Sequence, residues 1–185
     1  MQNTFEQEMV EKYIEKCQGN KLLLSKEDLS DFGFIQVLNI KQLTVLYCNS
    51  TKFIMGSLPN CLSYLHMERC GLKSIEGIQH LKLTHLNISV NDLTSISAIE
   101  NMTTLTHLNL CMNNLKSIES VKGLVNLVDL DVQNTHISDI SPIKELKGLQ
   151  KLQLMYNHIF DFSPISEHQN KASYMITVQV PLQNE

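Results

Sequence analysis

LTHLNISVNDLTSISAIENMTT (83 to 104) lies without a gap over LTHLNLCMNNLKSIESVKGLVN (105 to 126), and this 22-residue self-match decides the fold. Two more units keep the frame, LVDLDVQNTHISDISPIKELKG (127 to 148) and LQKLQLMYNHIFDFSPISEHQN (149 to 170). LSYLHMERCGLKSIEGIQHLK (62 to 82) fits it with one residue fewer. A fixed period over five consecutive units marks a solenoid, because one unit cannot bury its apolar side alone and stacked neighbours can.

Each unit has the form LxxLxLxxNxLxxIxxIxxL, which resembles the leucine-rich repeat. With the leading Leu as position one, the first seven or so residues form a short strand whose positions four and six point inward. Leu65, Met67, Leu86, Ile88, Leu108, Leu110, Leu130, Val132, Leu152 and Leu154 are then core. Position nine holds Asn91, Asn113 and Asn157, with Cys70 and Thr135 as replacements. A side-chain amide there turns onto backbone groups of the adjacent turn, so these residues form a structural ladder. Positions fourteen (Ile75, Ile96, Ile118, Ile140, Phe162) and seventeen (Ile78, Ile99, Val121, Ile143, Ile165) are spaced by three, which suits a 3₁₀ or helical turn on the convex side.

Two degenerate units occupy 19 to 61. The second, read from Leu43, keeps a strand with Leu43, Leu46 and Cys48 and puts Thr51 on the ladder; the first is read from near Gly19 and carries Leu22, Leu24, Leu29, Phe32, Ile35 and Leu38. Both ends of a stacked core need caps. Residues 1 to 18 supply a helix, with Thr4 and Gln7 as a capping box, Phe5, Met9, Val10, Tyr13, Ile14 and Cys17 as its apolar face, and Gly19 as its C-cap. Residues 171 to 185 hold a closing strand and tail, since KASYMITVQV alternates Tyr174, Ile176, Val178 and Val180. The fold class is therefore α/β: a right-handed solenoid with a curved parallel β-sheet on its concave face, 3₁₀ turns on its convex face and an N-terminal capping helix.

Composition narrows the function. With 15 Lys and Arg against 19 Asp and Glu, and no basic run, the chain lacks the electrostatic footprint of a nucleic-acid binder. No stretch reaches about 18 consecutive apolar residues, and the acidic N-terminus does not read as a leader, so the expectation is a cytoplasmic protein without a membrane span. The five cysteines show no paired metal spacing. No nucleotide-binding, metalloprotease or nucleophile-elbow motif occurs, and Cys111 lies roughly 13 Å along a strand from His107, too far to pair with it. The expectation is a non-enzyme without cofactor, monomeric on its own.

Stacked strands set equivalent positions side by side, so the concave face can be written in columns. Position three reads Val45, Tyr64, His85, His107, Asp129, Lys151; position five reads Tyr47, His66, Asn87, Asn109, Asp131, Gln153. Position seven includes Glu68, and position eight includes Val90, Met112 and Tyr156. Amphipathic aromatics among polar groups are what protein interfaces use as anchors, so the candidate partner-binding residues are Tyr47, Tyr64, His66, Glu68, His85, Val90, His107, Met112, Asp129, Asp131, Lys151 and Tyr156. A remote alternative is a metal surface on His66, His85 and His107, which adjacent-strand spacing would allow.

The phrases ISDISPIKELKGLQKL and LTHLNLCMNNLKSIESVKGLVNL resemble the short-repeat subclass shared by regulatory leucine-rich-repeat proteins of type-one protein phosphatase, and internalin-type repeats look similar. The resemblance covers 43 to 170 and implies a non-enzymatic adaptor that holds a protein partner in its concave groove. Regulation of a type-one phosphatase is the alternative it implies.

Overall fold

The computed structural model describes residues 2–26, 33–48, 55–166 and 175–177. Helix α1 (Gln2–Lys16) leads into eight strands: β1 (Lys21–Ser25), β2 (Gln42–Leu46), β3 (Tyr64–Glu68), β4 (His85–Asn87), β5 (His107–Asn109), β6 (Asp129–Asp131), β7 (Lys151–Gln153) and β8 (Met175–Thr177). They form one parallel sheet in chain order. Each strand returns to the next through a 3₁₀ turn on the far side, such as Ser97–Ile99 or Glu119–Val121. The architecture is a right-handed leucine-rich-repeat solenoid.

Period-two alternation inside each strand puts one side chain into the core and its neighbours onto the concave face. Leu86, Leu108, Leu130 and Leu152 pair as one inward column, each at most 2% exposed. Ile88, Leu110, Val132 and Leu154 make the second column, and Ile78, Ile99, Val121, Ile143 and Ile165 meet them from the convex side. All ten residues expected at positions four and six are buried, as are all five at position seventeen. Fully burying one such aliphatic side chain contributes about 1.5–3 kcal/mol, so the core column is the main source of stability.

The register corrects the reading of the second degenerate unit. Gln42 pairs with Tyr64, Leu43 with Leu65 and Val45 with Met67, so that unit starts three residues earlier than Leu43, at Ile40. Val45 is fully buried, whereas the concave column assigned it to solvent. Tyr47 moves from position five to position eight, and Cys48, also fully buried, takes position nine. The ladder place given to Thr51 therefore belongs to Cys48; Thr51 itself lies outside the described residues, as do Leu29, Phe32 and Tyr174.

The N-terminal cap also departs from its reading. Helix α1 already includes Thr4, so Thr4 is not its N-cap. It ends at Lys16, and Gly19 (φ 64°) sits in the tight turn that joins Gln18 to Lys21 rather than at a helix C-cap. Tyr13 is buried and Val10 and Cys17 pack against the core, while Ile14 is 55% exposed and lies off the capping face. At the other end β8 pairs in parallel with β7, Leu152 opposite Ile176.

Candidate protein-binding face

The ladder holds the concave face in shape. Asn91 Oδ1 accepts the Cys70 and Leu72 N–H groups at 3.0 and 3.1 Å, and its Nδ2 donates to the Met67 and Ile88 carbonyls at 2.8 and 3.0 Å. Asn113 repeats this one unit on, accepting Leu93 N–H at 3.1 Å and donating to Ile88 and Leu110 carbonyls at 2.9 Å. One amide thus satisfies backbone groups of two adjacent repeats that no water can reach. Thr135 has one hydroxyl proton and two acceptors within reach, and the shorter contact, 2.6 Å, goes to Asn157 Oδ1. Asn157 Nδ2 in turn donates to the Val132 carbonyl at 2.7 Å. The Cys70 thiol, a weak donor, lies 3.3 Å from the Glu68 carbonyl. Cys70, Asn91, Asn113, Thr135 and Asn157 thus each contact a backbone carbonyl of their own turn.

Position eight stands immediately before each ladder residue. Lys26, Tyr47, Arg69, Val90, Met112, Asn134 and Tyr156 all have φ between 50° and 59°. The chain must turn sharply there to bring position nine inward, and the left-handed backbone throws each position-eight side chain onto the rim of the concave face. Met112 and Tyr156 are 48% and 59% exposed, and with Cys111, Gln133 and Asn134 they line a shallow hollow of about 250 Å³. At the N-terminal end of the rim, Arg69 stacks over the Tyr47 ring at 5.2 Å and donates to its hydroxyl at 2.7 Å. Glu68 lies 3.9 Å from Arg69 and 3.3 Å from His66 Nε2.

Inside the rim the strands carry a second groove of about 180 Å³ lined by Tyr64, His85, His107, Asp129, Asp131 and Lys151, among others. His85 and His107 stack, centroids 4.2 Å apart and planes within 8°, and Tyr64 lies 5.8 Å from His85. Thr84 Oγ1 donates to the Ser63 carbonyl, so the 2.9 Å contact to His85 must be donated by His85 Nδ1–H. Thr106 Oγ1 donates to the Thr84 carbonyl and receives His107 Nδ1–H in the same way. A neutral ring in either place therefore carries its proton on Nδ1 and leaves Nε2 as an acceptor. Burial, and next the nearby His107, hold the His85 pKa below its ordinary value.

Lys151 pairs with Asp129 at 3.1 Å. Burial raises the Asp131 pKa even though its Oδ1 accepts Gln133 N–H at 3.0 Å and Lys151 lies nearby. That backbone contact is a role the sequence reading missed: Asn87 Oδ1 likewise takes Ser89 N–H at 3.0 Å, and Asn109 Oδ1 takes Cys111 N–H at 2.9 Å. A short Asx side chain two residues before an unpaired N–H was the available signal. Cys111, on the same face, has its thiol pushed up to about 11, by burial first and then by the Asp131 and Glu68 charges, which removes nucleophilic character.

Of the twelve candidate residues, the groove gathers Tyr64, His85, His107, Asp129, Asp131 and Lys151. The rim gathers Tyr47, Val90, Met112 and Tyr156, and His66 and Glu68 join the Tyr47–Arg69 cluster. His66 does not share a column with His85 and His107, because its register partner is Asn87. Among the described residues no group of three or more His, Cys, Asp or Glu side chains is placed to hold a metal ion. No helix among them is long and apolar enough to cross a membrane.

No family model matches the chain, and no curated protein does. Solved structures do. Internalin C2 of Listeria monocytogenes superposes with a TM-score of 0.68 at 24% identity, over 86% of this chain and 70% of that one. Internalin InlF of the same species gives 0.65 at 22%, over 89% and 55%. The functional domain of its InlJ, described as including a cysteine ladder, gives 0.68 at 24%, over 87% of this chain and 35% of that one. At this identity the likeness establishes the leucine-rich-repeat fold, and this chain spans about half or less of InlF and InlJ.

Proposed function

We propose that the chain is a non-enzymatic adaptor that binds a protein partner on its concave face, acting in the cytoplasm as a monomer. The observation that carries this reading is the rim: Tyr47, Met112 and Tyr156 are large, about half exposed and held outward by a left-handed backbone that glycine or asparagine would adopt with less strain. Beside them lies a groove whose polar groups are already oriented by internal hydrogen bonds, so little ordering would be lost on binding. The fold shared with the solved structures supports the same reading, since stacked repeats create extended concave surfaces of this kind.

An affinity capture from cell extract tests it, comparing the native chain with a folded Tyr64→Ala, His85→Ala, Asp129→Ala, Tyr156→Ala variant. A convex-side control carries Lys73→Ala and Lys116→Ala. A partner retained by the native chain and the control but lost from the concave variant is the expected result; identical lists for all three would overturn the concave assignment. Recovery of a type-one phosphatase catalytic subunit would select the regulatory-subunit reading.

A further inference from the structure

We propose that the inner groove takes an arginine side chain of the protein partner, its guanidinium stacked on the outer face of His107 and paired with the Asp131 carboxylate. The inference rests on the concave-face reading and specifies what that face recognises. Three features of the groove support it.

The first is the direction of the ring stack. His85 and His107 lie plane on plane along the column that crosses β4 and β5, so the second face of His107 is turned toward β6. The register partners of His107 and Asn109 on β6 are Asp129 and Asp131. A third planar group continuing the stack would lie over these two carboxylates. A guanidinium is planar, stacks on aromatic faces and pairs with carboxylates through a two-pronged fork, whereas an ammonium ion does only the last, and as a point charge.

The second is an excess of negative charge, which Lys151 offsets only in part. Two carboxylates and one ammonium line that end of the groove, and the ammonium of Lys151 is committed to Asp129 Oδ2 at 3.1 Å. Among the described residues no cation forms an ion pair with Asp131, whose Oδ1 is tied to Gln133 N–H. Asp131 lines the half-buried groove, and its second carboxylate oxygen is an acceptor beyond the Gln133 cap. An incoming cation offsets the burial of that charge, as no neutral side chain would.

The third is the donor pattern further up the groove. Asn87 and Asn109 have their Oδ1 atoms fixed on backbone N–H groups, which fixes both Nδ2 groups as outward donors. Main-chain carbonyls flanking the arginine would find donors there, and the cation would find the acceptor one strand further on.

The test is a titration of the isotopically labelled protein with N-acetyl-arginine amide, with the lysine and citrulline analogues as probes of charge and of planarity. Citrulline keeps the shape of arginine without its charge. The expected result is saturable movement of the Cys111 and Gln133 amide signals and the His107 ring signals with arginine, with affinity at least about tenfold weaker for citrulline, as loss of a charge-assisted pair implies. Lysine should fall between them. Asp131→Asn should weaken arginine binding by about tenfold or more and stay folded, because the amide oxygen keeps the Gln133 cap that Asn87 and Asn109 make in their own repeats. No saturation, equal affinity for citrulline, or an unaffected Asp131→Asn protein would overturn the proposal. The capture experiment separates the two readings: if Asp131→Asn retains a partner that the concave variant loses, the arginine pocket fails alone; if both retain it, the concave assignment fails with it.

Discussion

Cys48 and Cys70 stand on the ladder of the second and third repeats, where Asn91 and Asn113 stand in the next two, yet the backbone is the same in both regions. The residue before each has φ of 56°, 55°, 55° and 54°, and all four side chains are at most 8% exposed. The hydrogen bonding differs sharply. Asn91 joins two N–H groups and contacts three carbonyls of adjacent repeats, while the Cys70 thiol has one weak proton for the Glu68 and Val45 carbonyls and only its sulfur to offer the Cys48 backbone. The comparison teaches that the turn is set by the buried columns on either side of it. The amide then adds stability to a shape that a small apolar side chain also accommodates.

The strongest way to break that view is to attack what both regions share. Leu43 and Leu108 are inward residues of β2 and β5, 0% and 2% exposed. Leu108→Asp and Leu43→Asp should each unfold the repeats around them, since an unpaired carboxylate in an apolar stack costs more than a single repeat contributes. His107→Asp, one residue away on the concave side, should leave the circular dichroism spectrum unchanged. A folded Leu108→Asp protein would mean that the core is not where the register puts it.

The ladder itself gives a smaller and more telling contrast. Asn113→Ala leaves Leu93 N–H and the Leu110 carbonyl without the amide, while the Ile88 carbonyl keeps Asn91 Nδ2, and should cost about 1–3 kcal/mol in urea unfolding. Cys70→Ala removes one buried sulfur and should cost about 1 kcal/mol. Equal losses would show that ladder residues act by volume alone. Asn109→Ala, on the concave side, gives up only the cap on Cys111 N–H, and a loss of about 0.5–1.5 kcal/mol is expected rather than none.

Position eight should respond with the opposite sign. Val90 is β-branched, half-buried and held at φ 55°, a conformation that Asn134 occupies in the equivalent place with a residue suited to it. Val90→Asn should therefore stabilise the fold by about 0.5–1 kcal/mol. It should also weaken partner binding, which would mark the rim as a place where contact surface is kept at the expense of stability. Stabilisation with binding unchanged would remove Val90 from the contact surface.

The five regular repeats were legible in the sequence because apolar residues at positions four, six, fourteen and seventeen recur without a gap, and only one stacking register satisfies them all. The second repeat was not, for a physical reason. Leu43, Leu46 and Cys48 mimic the strand pattern three residues after the true start, where Ile40, Leu43 and Val45 do the same work. Two frames bury comparable apolar area when taken alone, and only pairing against Leu65 and Met67 separates them. The concave columns from Tyr64 onward were legible from the period. The caps made by Asn87, Asn109 and Asp131 were not read, because an exposed polar column and a column of backbone acceptors look alike until the turn beyond it is placed.

The smallest expected effect concerns the stacked pair His85 and His107, whose rings lie in the repeats of Asn91 and Asn113. His85 has its pKa lowered from 6.5 by burial first and by the His107 charge second. Above that value both folded and unfolded chains hold a neutral His85, so it adds no pH dependence. As the pH falls below it, the unfolded chain takes the proton first, and stability declines until the folded ring protonates as well. The groups facing the ring are Tyr64 on β3, Thr84 and Asn87 beside it, His107 on β5 and Asp129 beyond. His107→Gln removes the second cause and leaves the first. The His85 ring signal followed by NMR should then titrate at a higher pH than in the native chain and still below 6.5, and the acid loss of stability should shrink. A His85 midpoint that does not move would show that burial alone sets it, and that the two rings are stacked without being electrostatically coupled.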